Sequence, residues 1–212
     1  MTYTPGDGQA LGSVGRPEAV VIMLLSLLGF GLGSLPFSAW AARLLARADV
    51  RGVGDGNPGA ANAWRAGGWK VGLLALVLDV GKGAFPVLLA RLVVGLEGWA
   101  LVPVALAPAL GHTFSPWVGF RGGKAVATTF GVWTGLTYWE VPTAFGLSLA
   151  GIRQVQGNDA WTVALALPIV FLFLLLSRSE PGLLVAWGAN ALLLLWTHRR
   201  ELRAPPRWRR GP

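Results

Sequence analysis

The chain has 212 residues, a formal net charge of +8 and a mean hydropathy of +0.54, with 53% hydrophobic and only 13% charged residues. This composition excludes an ordinary water-soluble domain and indicates an integral membrane protein. The sequence contains no cysteine, which excludes disulfides, thiolate catalysis and iron–sulfur sites, and its two histidines offer little material for a metal centre.

The first apolar segment of the chain covers residues 20–45. It follows residues 1–16, which we expect to form a disordered tail because they are rich in Gly, Ser, Thr and Pro. The apolar segment exceeds the roughly 20 residues that are needed to cross the hydrocarbon core. A cleaved signal peptide is the alternative, but the segment is too long and ends at Arg43 and Arg47 rather than at small residues. We therefore predict a retained span.

Six further apolar runs follow a polar, glycine-rich segment at residues 46–68. They cover residues 69–94, 99–112, 124–138, 141–151, 160–177 and 183–197. Together with the first run, they predict an all-α polytopic membrane protein with about seven transmembrane helices, in one domain over residues 17–198. The third, fourth and fifth runs are short, so we expect kinked or re-entrant helices. If the fourth and fifth form a re-entrant hairpin, the count falls to five.

Basic residues are distributed unevenly between the predicted loops. Fourteen of the 18 fall on one side of the membrane and three on the other, while Lys82 lies within the second run. By the positive-inside rule the basic side is cytoplasmic, which places the N-terminus outside and the basic tail, residues 199–212, in the cytoplasm. We expect this tail to bind anionic lipid. No segment resembles a nucleic-acid-binding module, so no nucleic acid partner is predicted.

The first polar segment on the predicted cytoplasmic side covers residues 49–68. The spacing of Gly54, Gly56 and Gly59 matches a dinucleotide fingerprint, but that motif requires a preceding strand, and here a membrane helix precedes it. The glycines and a proline instead predict an irregular backbone whose N–H groups form an anion-binding nest. An interfacial turn with arginines at lipid headgroups is the alternative. The side chains that would assist anion binding are Arg51, Asn57, Asn62 and Arg65.

The second polar segment covers residues 111–131. Gly122, Gly123 and Lys124 lie just before a helical run, which brings backbone amides, a lysine and a positive helix end to one point. Ala125 stands where a nucleotide-hydrolysing loop requires Ser or Thr, so we predict phosphate binding without nucleotide hydrolysis. His112 is interpreted either as a base or phosphate donor, or as a structural histidine.

Two charged residues lie in the middle of the second apolar run. Asp79 and Lys82 are about one helical turn apart, on one face of the predicted helix. Charges at this depth are costly and are usually paired or functional. We expect a self-neutralised structural pair; the alternative is a proton or ion path, which would indicate a small transporter or channel.

In this order and spacing, these segments resemble the bacterial membrane glycerol-3-phosphate acyltransferases that use acyl phosphate as donor. The resemblance rests on residues 49–62, on LDVGKG at 78–83 and on GHTFSPWVGFRGGKAVAT at 111–128. It implies acyl transfer from acyl phosphate to glycerol 3-phosphate, giving lysophosphatidate and phosphate, at a cytosol-facing site in the bacterial inner membrane. It implies no metal and no cofactor. The partners are then the two substrates and membrane lipids, and the oligomeric state stays open.

The resemblance also assigns roles to individual residues. Lys124, Arg65 and the amides of Gly56 and Gly123 are expected to hold phosphate, and His198 is expected to contact the acceptor. Asp55 is a candidate general base. The remaining predicted binding residues are Arg51, Gly54, Asn57, Asn62 and Gly122.

Six motif positions depart from the family pattern. Asp55 replaces a serine, Ala61 a threonine, Ser115 a proline, Ala125 a glycine, Glu201 an asparagine and Ala204 an arginine. An ionised aspartate cannot donate a hydrogen bond and repels a phosphate, unless Arg65 or Lys124 neutralises it. We therefore expect Asp55→Ser to raise activity, unless Asp55 has become a base. The alternative function is a weak or inactive paralogue that binds lipid or phosphate.

Overall fold

The computed structural model describes residues 15–209, and these residues form eight α-helices with no β-strand. The helices are α1 Arg16–Ser34, α2 Phe37–Ala46, α3 Ala60–Leu88, α4 Leu101–Thr113, α5 Val126–Thr137, α6 Glu140–Val155, α7 Asp159–Ser177 and α8 Pro181–His198. The predicted all-α fold is confirmed. Most of the predicted tail, residues 1–16, lies outside the described residues, and Arg16 is already the first residue of α1.

Every predicted apolar run coincides with a helix, but the first run contains two. Leu35 and Pro36 separate α1 from α2, because proline cannot donate the backbone hydrogen bond that would continue the helix. Segments long and apolar enough to span a membrane are Arg16–Ala46, Ala60–Val93 and Asp159–Ser177. The helices α4, α5, α6 and α8 have 13, 12, 16 and 18 residues, so the count of seven crossings stays a prediction.

The polar segment between α2 and α3 is shorter than predicted. Helix α3 begins at Ala60, within the stretch that we expected to be loop up to residue 68. Gly68 interrupts this helix with a φ of 78°, a conformation that glycine adopts without a steric penalty. The first polar motif therefore ends on the first turns of a helix, and that helix aims its side chains at the site.

Glycines allow two pairs of helices to approach closely. A Cβ atom at Gly111 of α4 would lie 2.1 Å from the carbonyl oxygen of Phe30 in α1. A Cβ at Gly131 of α5 would lie 1.9 Å from the carbonyl oxygen of Val80 in α3. Small residues at such contacts are typical of membrane helix packing. The first contact packs α4 against α1, and the second packs α5 against α3.

Candidate active site

Lys124 lies between two carboxylates that come from distant parts of the sequence. Its Nζ is 2.6 Å from Oδ2 of Asp55 in the first polar segment and 3.0 Å from Oε1 of Glu201 after α8. The structure thus brings together Asp55 and Lys124, two of the residues that the sequence analysis assigned to the site. It adds Glu201, which the sequence marked only as a departure from the family pattern.

The carboxylate of Asp55 is fully hydrogen-bonded. It accepts from the backbone and side-chain N–H groups of Asn57, at 3.2 and 3.0 Å, and from the side chain of Asn62 at 2.6 Å. Arg65 in turn donates to Oδ1 of Asn62 at 2.8 Å. Burial alone would raise the pKa of Asp55, but the hydrogen bonds from Lys124 and Asn57 outweigh it and hold that pKa well below its usual range. Asp55 is therefore an ionised, neutralised anchor and a poor base.

The glycine amides predicted to bind phosphate already have partners within the fold. They donate to main-chain carbonyls, Gly56 to Val53 at 3.1 Å, Gly122 to Thr113 at 3.0 Å and Gly123 to His112 at 3.2 Å. In this structure these three amides are therefore used within the fold and do not form the predicted anion nest. Glycine is needed at positions 122 and 123 for another reason. A Cβ at Gly122 would lie 1.9 Å from the carbonyl oxygen of His112, and a Cβ at Gly123 would lie 2.2 Å from Nε2 of the same histidine. These glycines let the loop pack tightly on α4.

The predicted positive helix end is present at α5. The first four N–H groups of a helix have no intrahelical partner, and here they belong to residues 125–128. Ala125, the residue before the helix, has a φ of 61°, in the left-handed region that favours the glycine of the family pattern. Lys124, Ala125 and Val126 line the same cavity, so the lysine and the helix end face one space.

This first cavity has a volume of about 330 Å³ and a mixed lining. Its polar lining residues include Asp55, Arg65, Lys124 and His198, and its apolar ones include Leu76, Phe130 and Val163. A neighbouring groove along Trp64, Gly72 and Leu76 shares part of this lining. The cavity is suited to a ligand with a charged head and an apolar chain.

The second cavity, of about 540 Å³, is lined mainly by polar and charged groups. Asp55, Asn57 and Lys124 line both cavities and so separate them. The basic side chains of the second cavity are Arg51, Arg121, Lys124, Arg199 and Arg200. Arg51 also donates to the carbonyl oxygen of Val118 at 3.0 Å, which ties the first polar segment to the second. This space is suited to a small anionic polar ligand.

The two histidines have different surroundings. His198 is 3% exposed, and its Nδ1 lies 2.8 Å from the carbonyl oxygen of Leu194. Because a carbonyl only accepts, Nδ1 carries the proton, and in the neutral form of the ring Nε2 is the acceptor. His112 is also buried, and its Nδ1 lies 3.9 Å from Oδ1 of Asp79. Both rings line the first cavity.

Asp79 and Lys82 form the pair that their spacing predicts. Nζ of Lys82 lies 2.7 Å from Oδ1 of Asp79 and donates to the carbonyl oxygen of Leu35 at 2.8 Å. Ser38 donates to the other oxygen of Asp79 at 2.5 Å. The pair therefore joins α3 to the break between α1 and α2, which supports the structural interpretation.

Several charged residues of the site were not assigned from the sequence. Arg121, Arg199 and Arg200 had been counted only as topology signals, and Glu201 only as a departure. Asp159, at the start of α7, lines the first cavity. The position of Arg199 and Arg200 directly after His198 was the available signal. This position indicates a site residue only once the structure shows that α8 ends beside Lys124.

The family model for glycerol-3-phosphate acyltransferase matches residues 23–204. The chain belongs to this family. Glycerol-3-phosphate acyltransferase 1 of Thermotoga maritima is 36% identical over 169 residues, which cover 73% of this chain and 83% of that protein. The glycerol-3-phosphate acyltransferase of Anaeromyxobacter dehalogenans strain 2CP-1 is 39% identical over 188 residues, covering 85% of this chain and 91% of its own.

Solved structures of a glycerol-3-phosphate acyltransferase have the same fold. The crystal structure of PlsY, an integral membrane glycerol 3-phosphate acyltransferase, in its glycerol 3-phosphate form is similar with a TM-score of 0.79 and 33% identity. The lysophosphatidic acid form of the same protein is similar with a TM-score of 0.78 and 32% identity. Each match covers 86% of this chain and 90% of the other. This member of the family is therefore a multi-pass integral membrane protein.

Proposed function

We propose that this protein transfers a fatty acyl group from acyl phosphate to glycerol 3-phosphate, giving lysophosphatidate and inorganic phosphate. The observation that carries the proposal is the position of Lys124 between an amphipathic cavity and an arginine-lined one. Both substrates bear phosphate, and only the donor has a long apolar chain. A single lysine between two such spaces reaches both phosphates.

The donor is assigned to the first cavity. Its acyl chain lies along Leu76 and Phe130 and continues into the groove beside Trp64. Its phosphate faces Lys124, Arg65 and the N-terminus of α5, where the unpaired helix amides favour an anion. The acceptor is assigned to the second cavity, where arginine guanidinium groups bind its phosphate by charge-assisted hydrogen bonds.

The chemical step joins the two cavities at Lys124. The acceptor's hydroxyl oxygen attacks the acyl carbonyl carbon, and its proton passes to Nε2 of His198. The bond between the carbonyl carbon and the phosphate oxygen then breaks, and phosphate leaves with the bonding electrons. Lys124 and the N-terminus of α5 stabilise the negative charge that develops. Asp55 holds Lys124 in place and takes no proton.

A non-catalytic paralogue is the less favoured alternative. Aspartate replaces the family serine at position 55, but Lys124 neutralises its charge at 2.6 Å and Asn62 hydrogen-bonds it. The departures thus leave a paired polar centre rather than an unpaired buried charge. We further infer that the protein lies in the bacterial inner membrane with this site on the cytoplasmic side, which follows from the distribution of basic residues.

Donor specificity tests the proposal. Purified protein in nanodiscs is incubated with labelled glycerol 3-phosphate and either palmitoyl phosphate or palmitoyl-CoA, and lysophosphatidate and free phosphate are quantified. We expect product only with palmitoyl phosphate, in equal amounts with phosphate. Product from palmitoyl-CoA alone would overturn the assignment of the donor. Binding of both substrates without any product would favour the non-catalytic alternative.

A further inference from the structure

The residues after α8 form a strap across the loop between α6 and α7. Gly157 donates its N–H to the carbonyl oxygen of Arg207 at 2.6 Å, and Arg209 donates to that of Val155 at 2.7 Å. Gln156 and Trp208 form an antiparallel bridge between these two bonds. Residues 204–209, which we call the strap, are therefore held by main-chain pairing to the α6–α7 loop.

Two side chains under the strap bind its backbone directly. Gln156 is fully buried, and its Oε1 accepts from the backbone N–H of Arg207 at 2.9 Å and from that of Asn158 at 3.0 Å. The indole N–H of Trp161 donates to the carbonyl oxygen of Ala204 at 2.8 Å. The arginine side chains of the strap are exposed to solvent. Polar contacts to its backbone, rather than its positive charge, account for its position.

The strap begins directly after a single 3₁₀ turn, Glu201–Arg203, that carries one of the two carboxylates on Lys124. An ammonium group has three N–H donors. Asp55 and Glu201 take two of them, which leaves the third for a ligand in the cavities that Lys124 lines. A strap that moves away would carry the turn with it and release Lys124 on one side.

We propose that the strap is a positioning element of the active site, and that Gln156 is the positioning residue that holds it. Through the strap, Gln156 keeps Glu201 against Lys124 and so orients the ammonium group toward phosphate. This role rests on the proposed function, since it acts through Lys124. It differs from the lipid binding expected for the tail, because it depends on backbone pairing and not on the number of arginines.

Gln156→Met tests the proposal, because methionine keeps the volume and removes the acceptor for Arg207. Its matched control is Arg207→Gln with Arg209→Gln, which removes two charges and keeps the main-chain pairing. Glycerol 3-phosphate binding is measured by calorimetry, and transfer kinetics are measured with palmitoyl phosphate. We expect Gln156→Met to raise the Kd and KM for glycerol 3-phosphate about tenfold, the scale of one lost hydrogen bond, and the control to change them less than about twofold.

A double variant separates positioning from general stability. If Gln156 acts through Glu201, then Gln156→Met adds no further increase in Kd to Glu201→Gln. If the Kd of the double variant rises by the product of the two single increases, the proposal is overturned. It is also overturned if the double arginine control raises the Kd more than Gln156→Met does. Trp161→Phe, which removes the bond to Ala204, replaces Gln156→Met if the latter does not fold. Binding is measured separately from transfer. If the binding changes are as expected but the parent protein transfers no acyl group, the proposed function is rejected and the positioning role of the strap is retained.

Discussion

Lys124 neutralises Asp55, with Nζ 2.6 Å from Oδ2, and Asn57 and Asn62 occupy the remaining acceptor positions of that carboxylate. The aspartate therefore does not face a phosphate as an unpaired charge. It fixes the lysine and the loop of the first motif. The same lysine also pairs with Glu201, whose Oε1 lies 3.0 Å from Nζ.

This pairing reverses the result expected for Asp55→Ser from the sequence. Serine would lose the ion pair and most of the hydrogen bonds, so we expect kcat/KM to fall by about 10- to 100-fold, the scale of hydrogen bonds to a charged group. Transfer kinetics on the purified variant measure the change, and Glu180→Gln at the exposed start of α8 is the control. An increase in activity would show that the carboxylate repels substrate.

The buried pair of Asp79 and Lys82 predicts strong coupling in stability. Asp79→Asn or Lys82→Met alone leaves the partner's charge buried and unpaired, so each should lower the unfolding free energy by about 3–5 kcal/mol. The double variant should recover most of this loss. Unfolding in detergent measures all three variants. If the losses in unfolding free energy are instead additive in the double variant, the two charges do not stabilise each other. Proton or ion flux in proteoliposomes that contain the parent protein, but not the variants, would then favour a transport path.

The close contact of α1 with α4 predicts a position-specific effect of alanine. Gly111→Ala places a Cβ 2.1 Å from the oxygen of Phe30, so the helices must separate, at a cost of about 1–3 kcal/mol. Gly31→Ala is the matched control, because its Cβ meets nothing within 4 Å. Thermal unfolding of both variants in the same detergent provides the comparison. Equal melting temperatures would show that this contact does not limit the packing.

The helices were predictable from the sequence because apolar runs of this length have few alternatives. The runs at 99–112 and 160–177 fall within one residue or two of α4 and α7. The start of α3 at Ala60 was missed, since its first turns carry the polar residues of a motif rather than an apolar run. Pro36 lies at the break between α1 and α2. Hydropathy did not predict this break, because the run stays apolar on both sides of the proline.

The site was only partly predictable, because long-range pairing decides which groups are free. Local spacing identified Asp55, Asn62 and Lys124, since they lie within dense motifs. It could not show that the amide of Gly123 is used by α4, or that Glu201 reaches Lys124. These facts depend on how α4, α5 and α8 pack, which no single segment encodes.

The orientation of the chain is a prediction from its basic residues. We expect a reporter that is active only in the cytoplasm to be active when fused after Pro212, because most Lys and Arg residues flank that side. A fusion after residue 96, in the predicted external loop between α3 and α4, is the control and should be inactive. If both fusions are inserted and only the one after residue 96 is active, the predicted orientation is wrong and the site lies outside.

We propose that Lys124 joins the two substrate sites, and Lys124→Ala removes that link. Lys70→Ala is the matched control, because Lys70 is exposed and packs against Trp69 away from both cavities. Lysophosphatidate formation from palmitoyl phosphate and glycerol 3-phosphate is measured for both variants and the parent protein. We expect Lys124→Ala to lose at least about 10- to 100-fold in kcat/KM, while Lys70→Ala matches the parent. Parent-like rates in folded Lys124→Ala would contradict the assignment of this site.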